Sequence, residues 1–185
     1  AIGSRAVILD LLAVPLIWIA ALLSILAGFE RLFTQDVREG WLDQVSLSQL
    51  ELGWYALAKA ISHWLGTGLP LLIMTPLMAV MLNIPVSQFP TLLVALLFGS
   101  MGITLLGVIG AALAVGARRG TSLMALLILP LSVPLLIFGT LASQSDIGII
   151  NPHLMLLCAV CAVLLAIAPI VASSALEISE VETSI

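Results

Sequence analysis

Charged side chains are scarce in this sequence. They make up 9% of its 185 residues, whereas 62% of the residues are hydrophobic. A soluble domain usually carries about 25% charged residues, so this composition excludes a water-facing surface over most of the chain. The apolar residues form long unbroken runs, which favours membrane-spanning helices over a barrel. Because each span needs roughly 20 residues, the length allows five or six spans and no further soluble domain.

The sequence also lacks the motifs of a nucleotide site or a catalytic centre. The pattern G-x-x-x-x-G-K-[ST] is absent, and the one lysine, Lys59, follows Ala58 rather than a glycine. No nucleophile–base pair or carboxylate dyad is visible. Apart from Lys59, no charged residue lies deep in an apolar run, which disfavours an ion or proton pathway. We therefore expect no enzyme activity, no cofactor and no nucleic acid partner for this chain, and any ATP to be bound by another chain.

Cysteine and histidine are too few for a strong metal signal. Cys158 and Cys161 lie three residues apart in an apolar run, and without further ligands they are better interpreted as small apolar filler than as a metal site. His63 is either a haem or headgroup contact or, as we favour, a hydrogen-bonded histidine at the membrane interface. His153 follows Asn-Pro and is either an axial haem ligand or, as we favour, a solvated loop residue.

The apolar runs predict an all-α, polytopic membrane helix bundle with five spans in a single transmembrane domain over residues 1–185. The approximate spans are 11–29, 52–82, 91–117, 121–141 and 154–172, followed by an acidic tail. Basic residues occur in the first connection and in the Arg118–Arg119 turn, and both are therefore predicted to be cytosolic. In this topology Arg5 lies on the side of the membrane opposite the cytosol, as the one exception. A sixth span upstream of Ala1 would remove that exception, and we expect one.

Small residues predict where the spans pack. The third span contains Gly107/Ala111 and Gly110/Ala114, and small residues four apart let helices approach closely in lipid. We therefore expect this span to be central. Ala20, Ser24 and Gly28 in the first span have the same spacing, which is either a second packing face or chance in a chain rich in Ala and Gly.

Residues 30–51 form the only long polar segment, and we call them the coupling segment. They hold five of the ten acidic and two of the six basic residues. Val37, Trp41 and Val45 recur every four residues, which predicts an apolar stripe on a helix. Gly40 predicts an elbow, with the better helix beginning near Trp41. Such a helix can lay its apolar face in a groove on a partner, although a solvated loop is the alternative.

Side chains around this segment predict helix ends and a lipid contact. Thr34 or Asp36 is expected to cap a short helix. The run Ser48–Glu51 is a capping-box pattern and predicts the start of the next helix. Lys59, near the beginning of that helix, is expected to extend toward the lipid headgroups.

The run Asp36–Val45 resembles the motif before the second conserved helix of ABC-2-type permeases. In that family an acidic and basic run leads into a Gly-Thr-Leu-Glu-Gln-like helix that docks on the ATPase. Gly40, Leu42, Asp43 and Gln44 match in place and type, whereas Trp41 replaces the threonine. The resemblance implies an ATPase-coupling site composed of Asp36, Arg38, Glu39, Gly40, Trp41, Leu42, Asp43 and Gln44.

Longer runs resemble the haem exporter protein B family (CcmB) of bacterial cytochrome c maturation. They are IWIAALLS at 17–24, ERLF at 30–33, AKAISHW at 58–64, TGLPLLI at 67–73 and LPLSVPLLIF at 129–138. The resemblance implies an ABC-2-type permease-like fold, with six spans in the full family. It also implies the bacterial inner membrane as the location.

The same resemblance implies a function and partners. These are coupling of ATP hydrolysis by a CcmA-like subunit to haem export, or to release of a haem-loaded CcmE chaperone, beside CcmC-like and CcmD-like membrane subunits. Haem would be cargo of the complex, and no residue here is assigned to it. Two alternatives stay open: an ABC-2-type exporter of a lipid or drug, and a non-transporting scaffold that recruits an ATPase. The second membrane half is either another copy of this chain or a different subunit.

Overall fold

Long helices surround one central helix in this structure. The computed structural model describes residues 2–48, 50–115, 120–145 and 151–183, and these residues form helices and turns without a strand. The long helices are α1 (Ile2–Leu26), α5 (Leu52–Met81), α6 (Phe89–Ala114), α7 (Gly120–Ser143) and α8 (Pro152–Thr183). Three short helices, α2 (Phe29–Leu32), α3 (Thr34–Arg38) and α4 (Trp41–Leu47), join α1 to α5, and a 3-10 turn, Val86–Gln88, precedes α6.

The helices are long and apolar enough for a multi-pass membrane protein. Within the described residues, four segments qualify as spans by length and hydropathy: Leu52–Met81, Val86–Ala114, Leu126–Ser143 and Pro152–Ile178. Leu11–Leu26 is a shorter apolar helix. The predicted all-α polytopic bundle is therefore confirmed. The predicted Arg118–Arg119 turn lies outside the described residues.

The last helix is longer than the sequence analysis predicted. The fifth span was expected to end near residue 172 and to be followed by a tail, but α8 continues to Thr183. Ala172 and Leu176 are fully buried, one helical turn apart. The helix therefore stays packed in the core for one turn beyond the predicted end of the span.

Helix α6 lies at the centre, as its small residues predicted. Its buried residues occur on nearly every side of the helix rather than along one stripe. A Cβ at Gly107 would overlap the ring of Phe29, and one at Gly110 would lie 2.7 Å from Ile128 of α7. Glycine at these positions thus lets two neighbouring elements pack directly on the α6 backbone.

Helix α1 is held to α6 and α7 by Trp18. The ring is fully buried and packs against Gly99 of α6 and Gly139 of α7, where a Cβ would overlap it. The indole Nε1 donates a hydrogen bond to Ser143 Oγ at 3.0 Å. An indole N–H inside an apolar bundle needs such an acceptor, so the tryptophan is satisfied as well as packed.

The face of α1 that packs in this chain differs from its small-residue face. The buried positions include Ala13, Ile17, Ala21 and Ile25, whereas Ser24 is exposed. The large side chains of α1 therefore enter gaps that the small residues of α6 and α7 leave open.

We expect Gly139→Ala to lower the free energy of unfolding by about 1–3 kcal/mol, because the added methyl overpacks the Trp18 ring. Gly66→Ala is the matched control, since Gly66 is also helical but a Cβ there meets nothing within 4 Å. The control should be neutral or slightly stabilising, as alanine favours a helix over glycine. Thermal unfolding of the detergent-purified variants measures both. Equal effects at the two sites would contradict the Trp18 packing.

Candidate coupling site: the segment after α1 and its contacts with α5

Two glycines in left-handed conformations divide the connection from α1 to α5. Gly28 has φ 96° immediately before α2, and Gly40 has φ 73° immediately before α4. Residues with a Cβ rarely adopt such angles, so glycine suits both bends. The predicted elbow at Gly40 and the helix start at Trp41 are confirmed.

The predicted caps of this segment are wrong. Phe33 occupies the N-cap position of α3 and makes no side-chain cap bond there, Thr34 is the first residue inside the helix, and Asp36 turns toward α5. Ser48 ends α4 rather than starting α5: its amide bonds to carbonyls of α4, and its hydroxyl donates to Val45 O at 2.7 Å. The residue before α5 is Glu51, in an extended conformation.

Asp36 forms an ionic contact between α3 and α5. The residue is 7% exposed, and its Oδ2 lies 2.6 Å from Lys59 Nζ and accepts a hydrogen bond from the hydroxyl of Tyr55. The ammonium also lies 5.8 Å from the centre of the Tyr55 ring. The expectation that Lys59 extends to the headgroups is therefore wrong. A nearly buried carboxylate lies within its reach and needs a counter-charge more than the headgroups do.

Aromatic rings continue the contact along α5. Phe29 stacks on His63 with ring centres 4.1 Å apart, and Phe33 packs against Tyr55 with ring centres 6.2 Å apart. His63 Nε2 donates a hydrogen bond to the carbonyl of Ile25, 2.8 Å away in the last turn of α1. Carbonyls in a last turn lack partners within their own helix. The interpretation of His63 as a hydrogen-bonded histidine is confirmed.

The three residues of α5 that make these contacts lie on one face. Tyr55, Lys59 and His63 are spaced by four, which places their side chains above one another on a helix. We call this set the α5 seat. The chain from Ile25 to Asp36 lies along the seat and contacts each of its residues.

Helix α4 is placed differently from α3. Trp41 is 53% exposed and Leu47 is 84% exposed, whereas Val37 and Val45 are half-buried against the core. The predicted apolar stripe is thus divided: its two valines pack inward, and its tryptophan faces outward. This leaves α4 with a large exposed apolar surface beyond the Gly40 bend.

The eight residues of the predicted coupling site fall into separate groups. Asp36 is turned against α5, and Gly40 forms the bend. The backbones of Leu42 and Asp43 lie in α4, but their side chains are outside the described part of the structure. The remaining four are exposed or lie on the exposed side: Arg38, Glu39, Trp41 and Gln44.

Sequence reasoning missed Tyr55 and Lys59 as partners of the segment. A signal was present, because a lone lysine inside an apolar helix needs a counter-charge. Five carboxylates occur in the preceding segment, however, and their spacing does not single out Asp36.

His153 lies in the first turn of α8 rather than in a loop, so that expectation is wrong. Asn151 caps the helix: its Oδ1 accepts hydrogen bonds from the amides of His153 and Leu154 at 3.1 and 3.2 Å. Pro152 is the first helical residue, where its missing N–H costs nothing. The helix therefore begins two residues before the predicted span.

Comparison with known proteins identifies the family of the chain. The profile of the CcmB protein family matches residues 1–179. The chain belongs to the CcmB family. The match includes the coupling segment and the α5 seat, and it confirms the resemblance found in the sequence.

Curated relatives within the CcmB family are similar over almost the whole chain. Each is named Heme exporter protein B. The Pseudomonas aeruginosa protein is 42% identical over 181 residues, which are 97% of this chain and 81% of the relative. The Bradyrhizobium diazoefficiens protein is 40% identical, over 96% and 81% of the two chains. The Paracoccus denitrificans protein is 38% identical, over 96% and 83%.

We expect removal of the two charges of the ion pair to lower the free energy of unfolding by different amounts. Lys59→Met leaves an unpaired, nearly buried carboxylate and should lower the free energy of unfolding by about 3 kcal/mol. Asp36→Asn should cost only about 1 kcal/mol, because the Lys59 side chain is 29% exposed and can turn to water. Thermal or denaturant unfolding in detergent measures the difference.

Arg31→Met is the matched control for this comparison. It removes the same charge from an exposed residue of the same segment. Its effect should stay within about 0.5 kcal/mol. If Lys59→Met were no more destabilising than Arg31→Met, the ion pair would not contribute to the fold.

Proposed function

We propose that this CcmB-family chain is the membrane permease subunit of an ABC complex in bacterial cytochrome c biogenesis. It couples ATP hydrolysis by a partner to haem export or to release of a haem-loaded chaperone. The complex lies in the bacterial inner membrane, with the coupling segment and the Arg118–Arg119 turn in the cytosol. The partners are a CcmA-like ATPase, CcmC-like and CcmD-like membrane subunits, and either a second copy of this chain or one of those subunits as the other membrane half.

The exposed surface of α4 is the observation that supports ATPase docking. Trp41 and Leu47 of α4 are large apolar side chains exposed within the coupling segment, and Arg38 and Glu39, which precede α4, are exposed as well. Tryptophan and arginine are the residue types that most often dominate the binding energy of an interface. A short helix with exposed apolar side chains suits a groove on a soluble subunit.

The chemistry of the proposed function is divided between subunits. ATP binds and is hydrolysed on the partner, and this chain converts the resulting movement into a rearrangement of its helices. Haem is cargo in this proposal and is assigned to no residue here. His63 Nε2 is already bonded to the carbonyl of Ile25, which supports a positioning role for that histidine.

The name of the curated relatives favours a haem-related cargo. The P. aeruginosa and B. diazoefficiens proteins are both called Heme exporter protein B. A lipid or drug exporter would share the α4 surface but has no such support. The scaffold alternative, in which the chain only recruits the ATPase, differs from the coupling function because it predicts no movement of the spans.

We expect Trp41→Ala to weaken binding of the partner ATPase by about 30-fold, because an exposed tryptophan at an interface typically contributes about 2 kcal/mol or more. The measurement is co-purification of the full-length complex, with the ATPase quantified over a range of added ATPase. Cytochrome c yield in cells should fall with the bound fraction.

Trp54→Ala is the matched control for Trp41→Ala. Trp54 is also an exposed tryptophan, but it lies in the first turn of α5, outside α4. It should retain wild-type ATPase binding. Equal loss in both variants, or no ATPase bound to the wild type, would overturn the docking proposal.

A further inference from the structure

We infer that the α5 seat is the element through which a push on the coupling segment reaches the membrane spans, with Tyr55, Lys59 and His63 as positioning residues. The inference rests on the proposed ATPase coupling and adds to it the path by which movement enters the bundle. It assigns a task to three residues outside the predicted coupling site.

The first step of the path lies within the segment. Helix α4 exposes Trp41 and Leu47, whereas α3 is attached to α5 by the ion pair of Asp36 with Lys59 and the hydrogen bond from Tyr55. Only the bend at Gly40 separates the two short helices. A force on α4 therefore reaches the bundle by two routes, through Asp36 of α3 and through the half-buried Val45 of α4 itself, and only the first has an ion pair and a hydrogen bond to α5.

The second step lies along the seat. Contacts of three chemical kinds hold the segment there: an ion pair at Lys59, a hydrogen bond at Tyr55 and ring packing at Tyr55 and His63. A charge-assisted pair is short and directional, and a nearly buried one is weakly screened by salt. Such a contact holds α3 and α5 in one relative position, so that they move together.

The third step leads from α5 and α1 to the centre of the bundle. His63 holds the end of α1 through the carbonyl of Ile25. The next residue, Trp64, donates from Nε1 to Ser100 Oγ of α6 at 2.9 Å. Ser100 is fully buried in the bundle. A displacement of α5 therefore acts on the central helix α6 through Trp64, the residue that follows His63.

A purely structural role would stabilise the segment without transmitting movement. The two roles differ in one observable, which is the displacement of α5 when nucleotide binds to a docked ATPase. Thermal stability and docking do not separate them. The test must therefore read out a distance within the bundle.

The experiment measures the distance between spin labels on α5 and α8 in the full-length complex in lipid nanodiscs. Ser62→Cys and Ser174→Cys place the labels on exposed positions, after Cys158→Ala and Cys161→Ala remove the native thiols. Distances are recorded for the ATPase-bound complex with and without a non-hydrolysable ATP analogue.

Two variants are compared with the wild type. Lys59→Asp places a second carboxylate opposite Asp36, and the exchanged pair Asp36→Lys with Lys59→Asp restores opposite charges. We expect the wild type to change distance with nucleotide. In Lys59→Asp the ATPase should still dock, but the population of the moved state should fall by about tenfold, a typical allosteric coupling. The exchanged pair should recover most of the movement.

A second variant keeps the test decisive if Lys59→Asp does not accumulate. Asp36→Leu with Lys59→Met replaces the pair by apolar side chains and leaves no buried charge, which is often neutral for stability. It should dock the ATPase and lose the distance change. Arg31→Met, which removes an exposed charge, should keep it.

The outcomes separate this inference from the proposed function. If the wild type binds no ATPase, the proposed function fails. If the wild type binds ATPase but shows no distance change, ATPase docking stands, but the coupling part of the proposed function fails together with this inference. If the wild type moves and the pair-disrupted variants move as it does, the proposed function stands and the α5 seat is not the transmitting element.

Discussion

The contact between Asp36 and Lys59 fixes where the polar segment lies, and the proposed mechanism depends on that placement. The chain has one lysine, placed near the start of a membrane helix, and a carboxylate in the preceding connection meets it at 2.6 Å. Leaving either charge unpaired at the edge of an apolar bundle is unfavourable, so the two hold α3 against α5. Helix α4, beyond the Gly40 bend, has no such partner among the described residues and leaves its tryptophan exposed.

The bundle provides a firm base for that contact because its centre is built from close backbone approaches. Small residues on α6 and α7 accept Trp18 and Phe29, so that α1 and the start of the segment are held against the central helix. In lipid there is little hydrophobic drive between helices, and close packing with satisfied polar groups has to replace it. The indole bond to Ser143 and the histidine bond to Ile25 are two such satisfied groups, both in the C-terminal half of α1.

Much of this architecture could be predicted from the sequence. Long apolar runs gave the helical spans, Gly107 and Gly110 indicated the central helix, and Gly40 marked the bend before Trp41. Some failures were local, since Ser48 ends α4 and Asn151 caps α8, but the failures that bear on the site came from tertiary contacts. Asp36 was interpreted as a local cap because local spacing is all that a sequence pattern contains, whereas its partners lie 19 and 23 residues away. Lys59 was predicted to extend toward the lipid headgroups for the same reason. The end of α8 was placed too early because burial of Leu176 depends on neighbouring helices.

The most direct measurement is photo-crosslinking of the full-length complex in membranes, with a photoreactive amino acid at position 41, 86 or 73 in separate variants. Trp41 lies on the exposed surface of α4, Val86 is exposed in the 3-10 turn between α5 and α6, and Ile73 is exposed within α5. The account predicts that position 41 captures the ATPase and that positions 86 and 73 do not. Capture from position 86, or from none of the three, would contradict the claim that this segment is where the energy-supplying subunit binds.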